Sequence, residues 1–428
     1  MWEADTRDPA DYRLTAEHFW GVHSNPDTYT FGPLWRPEWS TYLRTIPFRQ
    51  VGTGTIFLAT GWVRLGHAPR SQSDIAAAGQ SLVAVESVLL VAGLLAVFWS
   101  VRRAYGVVVA MLVLAALVFP PRLWRMTEDL LTEPILRILL LFLFAAVVRI
   151  TRGRASPVQV LAVPILLLVA VHVKVQWLVA VPLLVPLVLL IASETTAPPV
   201  RATLILAAAI PATVIAVNWI GWRSLAIAPG TGVHAHIKYG EGVLNAFCAP
   251  LDPRPGFCDP SSPRIQWWNL HFAGDRADFQ ALDQAATRDL LRHPLRAARE
   301  FLDGLALAST LPGTESIVDG RLRLVDYAPP WIGLIGFLDQ VVWTLLGVGL
   351  WVRRTRLIAW TALVMWIVPA FGNIVAVYEL RYHQPMAGFG LAATIMVAAE
   401  CRHLIAWPEW RRLTRANPIG ASRSPACP

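Results

Sequence analysis

Long apolar runs alternate with short polar connections over most of this chain. The runs fall at about 80–101, 105–120, 134–149, 158–173, 177–192, 202–221, 331–352, 357–378 and 385–400. A helix needs about 20 apolar residues to cross a bilayer upright, so the shorter runs read as half-helices or as helices leaning on neighbours. The pattern predicts an all-α integral membrane protein, a polytopic helical bundle of about nine transmembrane helices. Residues 80–221 carry the first six and residues 331–400 the last three.

Three stretches break the apolar rhythm. Residues 1–79 are polar except for Trp35–Leu65, where mixed apolar and polar residues predict one or two helices lying in the membrane interface. The stretch 222–330 predicts a small, mostly helical loop domain. In it Phe279, Leu282, Ala286 and Leu290 recur at helical spacing, and Pro294 suits the first turn of a second helix. Residues 401–428 form a polar tail. No internal repeat is visible.

Composition narrows the class. Of the 428 residues, 55% are hydrophobic and 15% charged, which excludes an ordinary soluble enzyme, a disordered chain and a disulfide scaffold. Net charge is +8, and of the 37 basic residues only Lys174 and Lys238 are lysines. The arginines collect at Arg102/Arg103, Arg149/Arg152/Arg154, Arg201, Arg353/Arg354/Arg356 and Arg402/Arg411/Arg412/Arg415. These are every second connection, so the positive-inside bias assigns them, and the C-terminus, to the cytoplasm of a multi-pass protein of the cell inner (plasma) membrane. Residues 1–79, 121–133, 173–176, 222–330 and 379–384 then face outward. An outward segment as long as 1–79 predicts an upstream helix that this sequence does not include. No basic stripe interleaved with aromatics occurs, which argues against a nucleic-acid partner.

The outward connections also hold the ionisable residues that are costly near a membrane. They are Asp8 and Asp11, then Glu128, Asp129 and Glu133, then Lys174, then Glu379, Arg381 and His383. Such a set could hold an anionic lipid phosphate with its cations while a carboxylate acts on an acceptor. Lys174, in VHVKVQW, reads either as a phosphate-binding charge at a break between half-helices or as a lysine snorkelling from an outer turn. Glu133, before Pro134, reads either as a site acid or as an acid complementing a helix dipole. Asp8 and Asp11 also fit an acidic start to a helix from about Tyr12. His234 and His236, at i and i+2, are ordinary loop histidines rather than metal ligands. Glu86 and Asn373, isolated inside apolar runs, are expected to hydrogen-bond between helices. Cys248 and Cys258 in CAPLDPRPGFC are either a local disulfide in an oxidising compartment or two free thiols.

In order and spacing these motifs resemble the polytopic GT-C glycosyltransferases, a superfamily that includes protein O-mannosyltransferases and lipid A aminoarabinose transferases. Asp8, Tyr12 and Ala16 keep the register of that family's first outer loop, with Pro9 where a second acid is usual. Arg44-Thr45-Ile46-Pro47 echoes its Arg-Thr-Pro-Gly-Tyr element. Glu133-Pro134 matches the acid and proline that end the next outer loop, and Lys174 looks like the cation between the short middle helices. Arg288–Leu302, with His293-Pro294, resembles the helix before the later spans, and Arg381-Tyr382 followed by Pro385 resembles the last outer turn. The first transmembrane helix of the family has no counterpart here.

The resemblance implies an inverting glycosyltransferase that moves a sugar from a polyprenyl-phosphate donor to a lipid, glycan or protein acceptor on the outer, periplasmic face. Asp8 would be the general base, with Asp11 as its substitute. Glu133 would position the acceptor or a metal. Lys174, Arg381 and Tyr382 would surround the donor phosphate. A divalent metal ion is the one cofactor the pattern admits. The alternatives are a non-catalytic or truncated homologue, and a transporter or lipid-binding membrane protein, which would need a polar path reaching the cytoplasmic side.

Overall fold

The computed structural model describes residues 51–67, 72–118, 132–153, 156–193, 199–222, 225, 227, 276–307, 315–318, 321–324, 341–375 and 384–415. Almost all of them are helical. The order is α1 (Val51–Leu65), α2 (Gln72–Tyr105), α3 (Val107–Val118), α4 (Thr132–Thr151), α5 (Pro157–Val173), a short 3-10 helix (Val175–Val179), α6 (Ala180–Ser193) and α7 (Val200–Trp222). Then come α8 (Arg276–Arg292), α9 (Pro294–Leu307), β1 (Glu315–Val318) and β2 (Arg321–Leu324). The chain continues with α10 (Val341–Trp351), α11 (Arg356–Val375), a second 3-10 helix (Gln384–Met386) and α12 (Phe389–Arg415).

Among the described residues, four helical segments are long and apolar enough to cross a membrane: Ala76–Tyr105, Thr132–Thr151, Val175–Ser193 and Val200–Trp219. Four shorter apolar helices accompany them, Val107–Val118, Pro157–Val173, Val341–Trp351 and Arg356–Gly372. Large apolar side chains on their outer faces are exposed, including Val88, Val91, Val108, Met111, Ile165, Leu190 and Ile205. In water that surface would carry a heavy hydrophobic cost, whereas lipid tails accept it. This is a membrane protein.

The packed centre is built by α4, whose residues Leu136, Leu140, Leu141, Leu143, Phe144, Val147 and Val148 are all buried. α2, α3, α5, α6, α11 and α12 close around it. Where helices approach most closely, glycine allows it. A Cβ at Gly93 would stand 3.0 Å from the Leu141 Cβ, and one at Gly349 would stand 2.6 Å from a Val397 methyl.

Two features depart from the sequence pattern. The helix expected from about residue 80 begins at Gln72, because Asp74 in the first turn and Ala76–Ala78 extend it. Its 34 residues rise about 51 Å at 1.5 Å per residue, beyond the roughly 30 Å of hydrocarbon, so one end projects past it. α1 packs beside that projecting end through Phe57, Ala78 and Leu82. The second departure is the antiparallel pairing of β1 with β2, Glu315 opposite Leu324 and Val318 opposite Arg321. It lies in the loop domain read as mostly helical, and the residues between the strands are Asp319-Gly320, a favoured hairpin dipeptide.

Arginines from two of the clusters meet at one end of the bundle. Arg152 reaches Glu400 at 2.6 Å, and Arg354 reaches the other oxygen of the same carboxylate at 3.3 Å. The Arg152 guanidinium also lies 4.0 Å from the centre of the Tyr105 ring. One buried carboxylate thus ties together the ends of α2, α4, α11 and α12. Residues at the opposite end of these helices form the site described next.

Candidate functional site

The site starts where α5 fails. Val171, Val173 and Val175 alternate through VHVKV, and such β-branched residues resist helical packing. At Lys174 the backbone turns extended, φ −146° and ψ 108°. Its N–H still bonds to the Ala170 carbonyl at 2.7 Å, and its own carbonyl accepts the Trp177 N–H at 3.0 Å, which restarts the chain as a 3-10 turn. The fully buried Trp177 anchors that turn in the core. The Lys174 side chain leaves this break inward and is only 10% exposed, which rules out the snorkelling arrangement.

Glu133 comes from the first turn of α4, where Pro134 supplies the fixed φ that starts a helix. Its carboxylate meets the Lys174 ammonium at 2.5 Å. The second carboxylate oxygen accepts the Thr132 hydroxyl at 3.1 Å. Residues 41 positions apart in sequence therefore form a buried ion pair between the start of α4 and the break that ends α5. A buried pair of this kind has a large desolvation cost, so it adds little to folding yet leaves a strongly charged group held in a low-dielectric wall.

One turn deeper, Arg137 fixes the framework. It is buried, and its guanidinium donates to the Pro385 and Ala387 carbonyls at 2.8 Å each and to the Leu117 carbonyl at 2.7 Å. It also faces the Phe389 ring at 5.1 Å. These bonds lock the end of α3 and the turn before α12 onto α4. Gly388 completes the joint: φ is +84°, and a Cβ there would stand 2.2 Å from the Ala116 carbonyl oxygen. Sequence reasoning missed Arg137, because arginines were read as end-of-run charges. The signal was its place one turn after Glu133 inside an apolar helix.

Other elements press close around the break. A Cβ at Gly52 would come 2.6 Å from the His172 carbonyl oxygen, and one at Gly372 would come 2.8 Å from the Gln176 amide oxygen. His172 and the Thr213 hydroxyl are 3.1 Å apart. Phe301 of α9 packs on Phe371 of α11, 4.9 Å between ring centres, one residue before Gly372. The loop-domain helix thus sits at the same end of the bundle as the ion pair. The Gln176 amide nitrogen and the Trp177 indole nitrogen are buried without hydrogen-bond acceptors among the described residues.

Of the sequence-predicted residues, Glu133 and Lys174 are brought together. Asp8, Asp11, Arg381, Tyr382, Cys248, Cys258, His234 and His236 lie outside the described residues. Glu86 was expected to pair between helices. It is buried at 3% exposure, and among the described residues neither carboxylate oxygen has a hydrogen-bond partner. The side chain of Asn373 also lies outside the described residues. Among the described residues no group of three or more His, Cys, Asp or Glu side chains could hold a metal ion.

No protein-family model and no curated protein matches this chain. Solved structures similar to it include the archaeal oligosaccharyltransferase AglB from Archaeoglobus fulgidus, in complex with an inhibitory peptide and a dolichol-phosphate. The identity is 12% and the TM-score 0.43, over 98% of this chain and 49% of AglB. ArnT from Cupriavidus metallidurans, bound to undecaprenyl phosphate, is similar at 12% identity and TM-score 0.36, over 92% of this chain and 72% of ArnT. Its apo state gives 12% and 0.34 over the same shares. The chain spans about half the length of AglB.

Proposed function

We propose that this chain is a membrane glycosyltransferase of GT-C type, with about nine crossings, its site on the outer face and its C-terminus in the cytoplasm. It moves a sugar from a polyprenyl-phosphate donor to a lipid, glycan or protein acceptor with inversion. The observation that carries this reading is the Lys174–Glu133 pair, buried at a helix break and held on a rigid frame. A cation kept there at a cost to stability is suited to an anion arriving from the lipid.

In the reaction an acceptor hydroxyl oxygen attacks the anomeric carbon from the face opposite the phosphate. The bond from that carbon to the phosphate oxygen breaks, and its electron pair leaves with the polyprenyl phosphate. Asp8 takes the hydroxyl proton, with Asp11 as the neighbouring acid. The phosphate gains a full negative charge as it leaves. Lys174, and Arg381 with Tyr382 in the last outer turn, therefore bind the transition state more strongly than the donor. Glu133 holds the Lys174 ammonium until the phosphate competes for it, and then positions the acceptor.

The test is transfer of a radiolabelled sugar from polyprenyl phosphate to a cell-envelope extract by the reconstituted chain. Asp8→Ala abolishes transfer while expression and folding persist. Full activity in that variant would remove Asp8 from the mechanism.

A further inference from the structure

Glu86 is a membrane-buried acid to which the proposed reaction gives no role. Three helix registers place it at the level of the ion pair. α2 and α4 run in parallel, with Gly93 against Leu141 and Tyr105 against Arg152, offsets of 48 and 47 residues. Two turns above Gly93 on the same face, Glu86 therefore stands opposite Glu133–Pro134. α1 and α2 are joined by only residues 66–71 and so run antiparallel, with Phe57 against Ala78 and Leu82. Five residues back from Phe57, Gly52 lies level with the turn of α2 that holds Glu86. Gly52 in turn abuts the His172 carbonyl, two residues before Lys174. Glu86, Glu133 and Lys174 share one layer.

Unlike Glu133 and Lys174, Glu86 has no hydrogen-bond partner among the described residues. An acid buried in a membrane helix with both oxygens unsatisfied is expensive, and an apolar residue would pack there at no such cost. Its oxygens accept hydrogen bonds. In a polyprenyl-phosphate sugar the phosphate offers only acceptors, and the hydrogen-bond donors are the hydroxyls of the glycosyl ring. We propose that Glu86 binds adjacent hydroxyls of the donor sugar while Lys174 takes the phosphate, so that Glu86 is a specificity residue for the glycosyl group. This rests on the phosphate-binding reading of Lys174.

The experiment compares binding of bare undecaprenyl phosphate with binding of its mannosyl, glucosyl and arabinosyl forms to the purified full chain, with no acceptor present. Wild type binds at least one sugar-bearing lipid more tightly than the bare lipid. Glu86→Leu and Glu86→Gln lose about tenfold or more of that preference, as expected for hydrogen bonds to a carboxylate, and bind the bare lipid as wild type does. Glu86→Leu also unfolds at a higher temperature than wild type, which separates lost recognition from lost folding. The proposal is overturned if both variants keep the sugar preference, if wild type shows none, or if the variants lose both lipids equally. Lys174→Met loses both the bare and the sugar-bearing lipids. If instead Lys174→Met binds bare lipid normally, the phosphate reading fails, while the Glu86 comparison is still read on its own.

Discussion

Replacing Lys174 by Met removes the ammonium from beside Glu133 and keeps the side-chain length. The carboxylate is 4% exposed and the ammonium 10%, at 2.5 Å, so the pair is not of the surface kind worth under about 1 kcal/mol. Removing one partner of a buried pair costs about 3–5 kcal/mol, because the remaining charge keeps its desolvation cost without its counter-charge. The Thr132 hydroxyl stays on the carboxylate, so the lower end, about 3 kcal/mol, is expected for Lys174→Met. Glu133→Gln leaves the ammonium behind and costs a similar amount. The double variant recovers to within about 1 kcal/mol of wild type, because two neutral side chains of like volume need no counter-charge. Detergent-driven unfolding of the three purified variants gives a coupling free energy of about 5 kcal/mol, since two losses of about 3 kcal/mol collapse to about 1 kcal/mol in the double variant. The double variant also folds without binding undecaprenyl phosphate, which separates stability from ligand recognition. Additive losses in the two single variants would refute the coupling.

Arg137→Leu strands three carbonyls that now receive a charged donor, and a loss of about 3 kcal/mol or more is expected in the same unfolding measurement. At the opposite end, Glu400→Gln removes the counter-charge of a 16%-exposed Arg152 and costs about 2 kcal/mol, whereas Arg354→Ala, at a 70%-exposed side chain, stays within about 0.5 kcal/mol. In intact cells a membrane-impermeant thiol reagent labels Cys248 and Cys258 only after reduction, if their loop faces an oxidising compartment. Labelling before reduction refutes the disulfide, and protection under both conditions refutes the outward placement.

The helices were largely legible because punctuation in the sequence is strong. Pro134, Pro157 and the Arg149/Arg152 cluster bound α4 and α5 within two residues or so of the apolar runs, and Pro294 opens α9 where its position in the pattern indicated. α2 ran longer than its apolar run because helix propensity at Ala76–Ala78 outlasts hydrophobicity. The β1–β2 hairpin was missed although Asp-Gly between alternating residues marks it, since the loop was read for helical period alone. Within the site, Glu133 and Lys174 each stood out as costly charges, but their contact spans 41 residues and depends on how α4 meets the α5 break. The lack of a partner for Glu86 was still less accessible. A sequence marks an acid inside an apolar run, and only packing decides whether a neighbour meets it.

Contact between Lys174 and the phosphate of a polyprenyl lipid can be measured directly, because the chain contains only two lysines, Lys174 and Lys238. Protein labelled with nitrogen-15 at lysine is reconstituted in bilayers with undecaprenyl phosphate, and the nitrogen–phosphorus dipolar coupling is measured by solid-state NMR. A charge-assisted N–H to phosphate-oxygen bond of about 2.7–2.9 Å puts nitrogen and phosphorus about 4 Å apart. With Lys174 on the phosphate, one lysine signal is strongly dephased by phosphorus and is lost in Lys174→Met. Dephasing of Lys238 alone, or of neither lysine at saturating lipid, would contradict that contact.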